Sequence, residues 1–226
     1  MESDLFLEQV ECGPMQNFVY LVGSRRTREV ALVDPAWSIE GLLGLLDKRD
    51  LTPVAVQVTH YHPDHVGGEI MGQKIEGLAE LMERRPLPVY VHKNEADGVR
   101  RVTGLEESDI RRVESGDTLE IGDVQIRFLH TPGHTPGSQC FLVENALVSG
   151  DTLFIRGCGR VDLPGSDPDQ MFESLQQLAK LPETTVLYPG HNYAEVPTST
   201  LADEKRTNPY LRTRTLDQWR QLMGGG

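Results

Sequence analysis

Apolar and polar positions along this chain change period many times, and the changes delimit its elements. Alternating or continuous apolar runs predict strands over Asn17–Val22, Glu29–Val33, Val54–Thr59, Val89–His92, Thr118–Ile121, Val124–His130, Gln139–Val143, Ala146–Ser149 and Thr185–Tyr188. Between them, helices are expected over Ile39–Lys48, Ile75–Arg84, Glu95–Val102, Pro168–Lys180, Thr200–Arg206 and Leu216–Met223. In Ser166-Asp167-Pro168, either Ser166 or Asp167 is the cap, with proline at an early helical position. Ser115-Gly116-Asp117 reads as a turn, and Ile121-Gly122-Asp123-Val124 as a tight hairpin. Gly67–Pro88 and Gly157–Asp167 carry no strand signal and are expected to be loops that shape a pocket. Adjacent hairpins mixed with crossovers do not suggest a doubly wound parallel sheet. They fit two mixed sheets packed face to face with helices outside, an α+β arrangement.

Composition narrows the partners. A chain of 226 residues is long enough for one substantial core, and a single domain over 1–226 is expected. No apolar stretch approaches the ~20 residues needed to span a membrane. Glu2, Asp4, Glu8 and Glu11 break up the first apolar runs, which is not a signal-peptide layout. Cys12, Cys140 and Cys158 cannot all pair with one another and lack zinc-finger spacing, which fits a reducing cytoplasm. The formal net charge of −12 argues against nucleic acid or an anionic membrane as partner. An anionic small-molecule substrate would need local cations, for which Arg156, Arg160, Lys205, Arg206, Arg212 and Arg214 are candidates. For the last four, a solvated helix face is the commoner explanation.

The polar residues that close the strands carry the chemistry. Directly after Val54-Ala55-Val56-Gln57-Val58 comes Thr59-His60-Tyr61-His62-Pro63-Asp64-His65. A strand ending at Thr59 delivers His60 and His62 to one side, because side chains two apart share a face in extended backbone. Pro63 keeps His62 away from helical dihedrals, and Asp64 and His65 follow on a turn, facing a second position close by. Neutral imidazole suits zinc and iron, while a carboxylate adds charge compensation and can bridge two cations. A histidine-rich surface loop is the bland alternative. It is disfavoured because three of the seven histidines fall in this one segment.

Three further segments repeat the scheme of strand, tight turn and candidate ligand: His134 in Thr131-Pro132-Gly133-His134-Thr135-Pro136-Gly137, Asp151 in Ser149-Gly150-Asp151-Thr152, and His191 in Tyr188-Pro189-Gly190-His191-Asn192. Taken singly, each is as readily a hydrogen-bonded turn residue. Together they supply what a two-metal site still needs. His92 and His130 are read as hydrogen-bonded structural histidines, and Cys158 as a packing residue before a nucleophile.

The HxHxDH run at His60–His65, followed by single His, Asp and His residues at strand ends, resembles the metallo-β-lactamase superfamily. The resemblance extends from Asp34 of Leu32-Val33-Asp34-Pro35 to His191 and a little beyond. It implies a four-layer αβ/βα sandwich with metals at one edge, where strand-end loops converge. It further implies that His60, His62 and His134 bind one divalent metal ion, that Asp64, His65 and His191 bind another, and that Asp151 bridges them. Zinc is the first choice, and iron and manganese tolerate the same ligands. Two such ions can share a hydroxide at neutral pH, which Asp64 can also orient, so no serine or cysteine nucleophile is required.

Leu153-Phe154-Ile155-Arg156-Gly157-Cys158-Gly159-Arg160 and Tyr188-Pro189-Gly190-His191-Asn192-Tyr193 resemble most the glyoxalase II group, which hydrolyses glutathione thioesters such as S-lactoylglutathione. The implied activity is a cytoplasmic thioesterase of the hydroxyacylglutathione type, with Arg160, Lys205 and Tyr193 as candidate substrate contacts. Full glyoxalase II proteins carry a longer helical C-terminal region with glutathione contacts. Here Thr198–Leu211 resembles shorter members instead, so a separate C-terminal glutathione-binding domain is not expected. The alternative is a persulfide dioxygenase holding one iron through His60, His134 and Asp151 and oxidising glutathione persulfide with O₂. Pro63, where those enzymes typically have alanine, and the Gly67-Gly68 pair favour the hydrolase. A non-catalytic metal-binding module is the third reading, and the intact ligand set opposes it.

Overall fold

The computed structural model describes residues 3–224. Two six-stranded mixed sheets form its frame. The first has the order Leu5–Cys12, Asn17–Ser24, Glu29–Val33, Thr52–Gln57, Val89–His92, Ile110–Val113. Its first three strands pair antiparallel and the rest parallel. The second has the order Ser199–Thr200, Val186–Pro189, Ala146–Gly150, Gln139–Val143, Val124–His130, Thr118–Ile121, with one parallel pair at Ala146–Gly150 and Val186–Pro189.

Because side chains alternate across a strand, each central strand feeds two cores. Val19 and Leu21 pack outward with Leu42, Leu46, Leu81 and Val99 of helices Ile39–Arg49, Leu78–Arg84 and Ala96–Thr103. Phe18, Tyr20 and Val22 of the same strand turn inward and meet Ile126, Phe128, Phe141 and Val148 of the second sheet. Beyond that sheet, Leu129, Leu147 and Leu187 are covered by Met171 and Leu175 of helix Pro168–Leu178, and by Trp219. Helix, sheet, sheet, helix is the expected four-layer sandwich. Fully burying a side chain such as Phe128 or Phe141 stabilises by roughly 1.5–3 kcal/mol, so the layer between the sheets holds the two halves in register.

Several boundaries differ from expectation for physical reasons. The strand expected over Val54–Thr59 is Thr52–Gln57, so the chain leaves the sheet before the histidines. The helix expected from Ile75 starts at Leu78, because Ile75 closes a hairpin of Gly68–Ile70 with Gln73–Ile75. Met71 and Gly72 turn that hairpin at φ 52° and 79°, the left-handed pair that a two-residue connection requires. Strands Leu5–Cys12 and Ile110–Val113 lie at the two edges of the first sheet. Edge strands carry polar residues such as the exposed Arg111 and Arg112, which hides their period in the sequence. Asp167 proves to be the helix cap, accepting from the Gln170 amide at 3.0 Å. Among the described residues, no helix is long and apolar enough to cross a membrane.

Candidate metal centre

Loops following strands of both sheets converge at one edge: those after Thr52–Gln57, Val124–His130, Ala146–Gly150 and Val186–Pro189. Main-chain bonds stitch the sheets together on both flanks. The Phe18 amide donates to the Gly190 carbonyl at 2.8 Å, and the Gln139 amide to the Thr59 carbonyl at 3.0 Å. The second flank is reinforced by Gln139 Nε2 on the Val58 carbonyl at 2.7 Å.

The strand before His60 and His62 stops at Gln57 and not at Thr59. Both histidines lie in an extended segment past the sheet, with His62 at φ −63°, ψ 140° as the N-cap of a short helix, Pro63–Val66. Extended backbone still puts residues two apart on one side, and their rings are 4.7 Å apart. Asp64 and His65 belong to that helix, with Pro63 in its first turn, and are not on a simple turn.

His60, His62 and His134 each present a nitrogen, all within 4.8 Å of one another, and Asp64, His65 and His191 form a second trio to the same limit. Asp151 reaches both. Its oxygens lie 3.6 Å from His134 Nε2 and 3.4 Å from the Nε2 atoms of His65 and His191. All seven residues singled out as candidate ligands therefore share one site.

The outer hydrogen bonds set the tautomers. His134 Nδ1 donates to the Arg160 carbonyl at 2.8 Å and His191 Nδ1 to the Met15 carbonyl at 2.9 Å, so each aims a lone pair on Nε2 inward. Thr59 spends its hydroxyl proton on Asp34. Its oxygen can then only accept from His60 Nδ1, 3.0 Å away, which leaves His60 Nε2 free to coordinate. Asp34 also holds His65 Nδ1 at 3.0 Å and the Thr59 amide at 2.7 Å, from a backbone at φ 51°. Asn17 Nδ2 donates to Asp64 Oδ2 at 2.9 Å, and its own orientation is fixed by Trp37 Nε1 at 3.0 Å.

The site's electrostatics ask for positive charge. Burial, followed by the neighbouring His65 and His62 rings, holds His60 well below the usual imidazole range. Burial and then the His134 ring lower His62 to about 4. For His65, burial alone would act the same way, but Asp151, Asp64 and Asp34 overcome it and lift the ring to about 10. Burial would raise Asp151, yet His65 and His191 hold it well below the carboxylate range. Three carboxylates thus concentrate negative charge around a buried imidazole, a field that a bound cation would satisfy.

Two supporting residues left little trace in the sequence. Asp34 is a carboxylate at a strand end, the pattern that singled out Asp151, and was legible only as the start of the resembling region. Glu95 had no local signal, since its partners lie 34 to 42 positions away. Buried, it accepts from the Tyr61 amide at 2.8 Å, Thr135 Oγ1 at 2.7 Å and the Gly137 amide at 2.7 Å, so it clamps the His60–His62 loop to the His134 loop. Burial pushes its pKa up to about 7 despite those donors. Glu95→Ala is expected to lower the free energy of unfolding by about 2 to 4 kcal/mol, since buried donors lose their acceptor. A urea titration with an unchanged midpoint would remove this clamp from the account.

A cavity of about 490 Å³ opens over the site, and His62, Asp64, His134, Asp151 and His191 line it, whereas His60 and His65 do not. Arg160 and Tyr193 line it, as do Ile70, Leu163 and Pro164 from the two segments expected to shape a pocket. Lys205 does not line it: its Nζ donates to the Leu181 carbonyl at 3.3 Å, with Glu183 at 4.0 Å. The ammonium is thus held by the segment before the last long strand. Arg156 opens on a neighbouring recess with Glu195 and Val196. His92 and His130 stack at 3.8 Å, with His130 Nε2 bonded to the Pro136 carbonyl at 3.0 Å, outside both trios. Burial drives the Cys158 thiol up to about 12, which suits packing and not nucleophilic attack.

Comparison with known proteins agrees with this geometry. The family model of the metallo-beta-lactamase superfamily matches residues 12–191. A hydroxyacylglutathione hydrolase of Vibrio cholerae is 33% identical over 232 residues, covering 88% of this chain and 83% of that protein. The crystal structure of ETHE1 from Myxococcus xanthus superimposes with a TM-score of 0.82 at 29% identity, over 97% of this chain and 90% of that one. TTHA1623 in a di-iron-bound form gives a TM-score of 0.73 at 37% identity, over 90% and 99%.

Proposed function

The chain belongs to the metallo-beta-lactamase superfamily, and from that premise we propose that it is a metal-dependent hydrolase acting on small-molecule thioesters, the class that includes the hydroxyacylglutathiones. The observation that carries this reading is Asp151 standing between two trios of inward-facing donors. His60 Nε2 and Asp151 Oδ1 are buried without a hydrogen-bond partner. Left so, each would cost roughly 1–3 kcal/mol, and a coordinated cation satisfies both. His60, His62 and His134 would hold one divalent ion, Asp64, His65 and His191 a second, and Asp151 both. Zinc is our assignment; a neighbour of this fold is known with two irons. When bound, such a pair supplies Lewis acidity toward an acyl oxygen and lowers the pKa of coordinated water to about 7.

The chain's own residues prepare the rest. Asp34 and Thr59 lock the His60 and His65 rings, Asn17 holds one oxygen of Asp64, and carbonyls of Met15 and Arg160 fix His191 and His134. Asp64 keeps its other oxygen to orient water, and Arg160 and Tyr193 contact the substrate. Among the described residues, no carboxylate, imidazole or thiol lines the cavity beyond the candidate ligands. A thioester suits such a wall, because its thiolate departs without a proton donor, whereas an amide would need one.

Protein of measured metal content, assayed on S-lactoylglutathione and on glutathione persulfide, tests the reading. We expect about two ions per chain and thioester hydrolysis that chelation abolishes. One iron per chain with O₂ uptake on the persulfide would install the mononuclear dioxygenase in its place. Metal-loaded protein inert toward thioesters, lactones and phosphodiesters would leave only a binding module.

A further inference from the structure

Building on the thioesterase reading, we propose that the preferred substrate is an uncharged thioester with an apolar group on each side of its carbonyl, and that glutathione is not the thiol carrier. The cavity has two walls with the candidate metal ligands between them. On one side Tyr61 meets the His62 ring at 5.1 Å and donates its hydroxyl to the Pro164 carbonyl at 3.5 Å, with Leu163 also in the lining. On the other side His191 is flanked by Phe154 at 5.9 Å between rings, by Tyr193 and by Met15, whose carbonyl it bonds. The Tyr193 ring lies 4.6 Å from the His191 ring and 14° from parallel, and Phe154 meets Tyr193 at 5.7 Å. A carbonyl placed at the ligands therefore sends its acyl arm along one apolar wall and its thiol arm along the other. Each methylene so buried favours binding roughly fourfold.

Charge argues the same way. Glutathione brings two carboxylates and an ammonium, each costly to desolvate without a partner. Arg160 is the one Lys or Arg on the described wall, and Asp162 occupies it twice, at 2.9 Å on Nε and 2.8 Å on Nη2. None of the other basic candidates lines the cavity: Lys205 is on Leu181, Arg206 on Asp203, Arg156 in the recess with Glu195, and Arg212 and Arg214 are not among the lining residues. A net charge of −12 adds repulsion toward an anionic carrier.

The test uses matched pairs on metal-loaded protein. Hexanoyl and acetyl thioesters are compared on two carriers, neutral N-acetylcysteamine and glutathione. We expect kcat/KM for the neutral hexanoyl thioester to exceed that of hexanoylglutathione at least tenfold, and to exceed that of its acetyl partner at least tenfold. Calorimetry with the thioethers S-hexyl-N-acetylcysteamine and S-hexylglutathione, which cannot be hydrolysed, should show the neutral one binding at least tenfold tighter. Glutathione thioesters turned over as well or better, or a ratio near one between chain lengths, would overturn the proposal while leaving thioester hydrolysis in place. Selective binding of the neutral thioether without turnover of any thioester would reject hydrolysis and sustain the apolar preference. Weak binding of both thioethers would overturn it.

Discussion

Asp151→Ala is expected to lower kcat on a thioester by roughly three orders of magnitude at saturating metal, a loss of several kcal/mol of transition-state stabilisation. Its oxygens lie within 3.6 Å of donors from both trios. Its removal takes away a negative charge that the buried His65 and His191 rings face, so the cage loses charge compensation as well as a ligand. Asp151→Asn separates the two losses, since it preserves shape and one oxygen but not the charge. Metal content should fall in both variants, while far-ultraviolet circular dichroism stays at the parental level, because the inter-sheet layer of Phe128, Phe141 and Tyr20 is untouched. Parental turnover together with parental metal content in Asp151→Ala would refute the ligand assignment.

Gly190→Ala should be nearly as damaging although it alters no functional group. A Cβ there would stand 2.3 Å from Asp151 Oδ1 and 2.9 Å from the Gly150 carbonyl carbon. The backbone cannot retreat, because the Gly190 amide donates to the Gly150 carbonyl at 2.9 Å and its own carbonyl accepts from Phe18 at 2.8 Å. The carboxylate must therefore shift by about an ångström, a displacement that costs on the order of 10²-fold in rate at a positioned site. Gly44→Ala is the control: nothing lies within 4 Å of its Cβ, and in a helix the change should be neutral or stabilising by up to about 1 kcal/mol. Equal activity in Gly190→Ala and Gly44→Ala would mean that the fit around Asp151 is not limiting.

How legible the molecule was depended on where its signals lay. The convergence of the seven candidate ligands could be read because each follows an apolar strand within a few residues of Gly or Pro, so local sequence marks both the residue and the sharp turn that aims it. The layers could be read because Val19 and Leu21 alternate with Phe18, Tyr20 and Val22, and each set needs a separate core. Long-range support was invisible. Glu95 looks like any acidic residue at a helix start, and only folding brings its acceptors to Tyr61, Thr135 and Gly137. Lys205 misled for the converse reason: a cation near a motif in sequence is free to point elsewhere, and here it caps the Leu181 carbonyl. The two edge strands of the first sheet, Leu5–Cys12 and Ile110–Val113, failed because polar, solvated faces erase the period that betrays a buried one.

The stitches at Phe18–Gly190 and Thr59–Gln139 join main chain to main chain, and main-chain atoms are the same whatever residue carries them. The frame around the cage is thus insulated from most substitutions. Residues 68–75 and 157–167, which contribute Ile70, Leu163 and Pro164 to the cavity wall, hold no share in those stitches. Lineages of this fold can rewrite such rims and acquire new substrates while the inherited chemistry stays in working order.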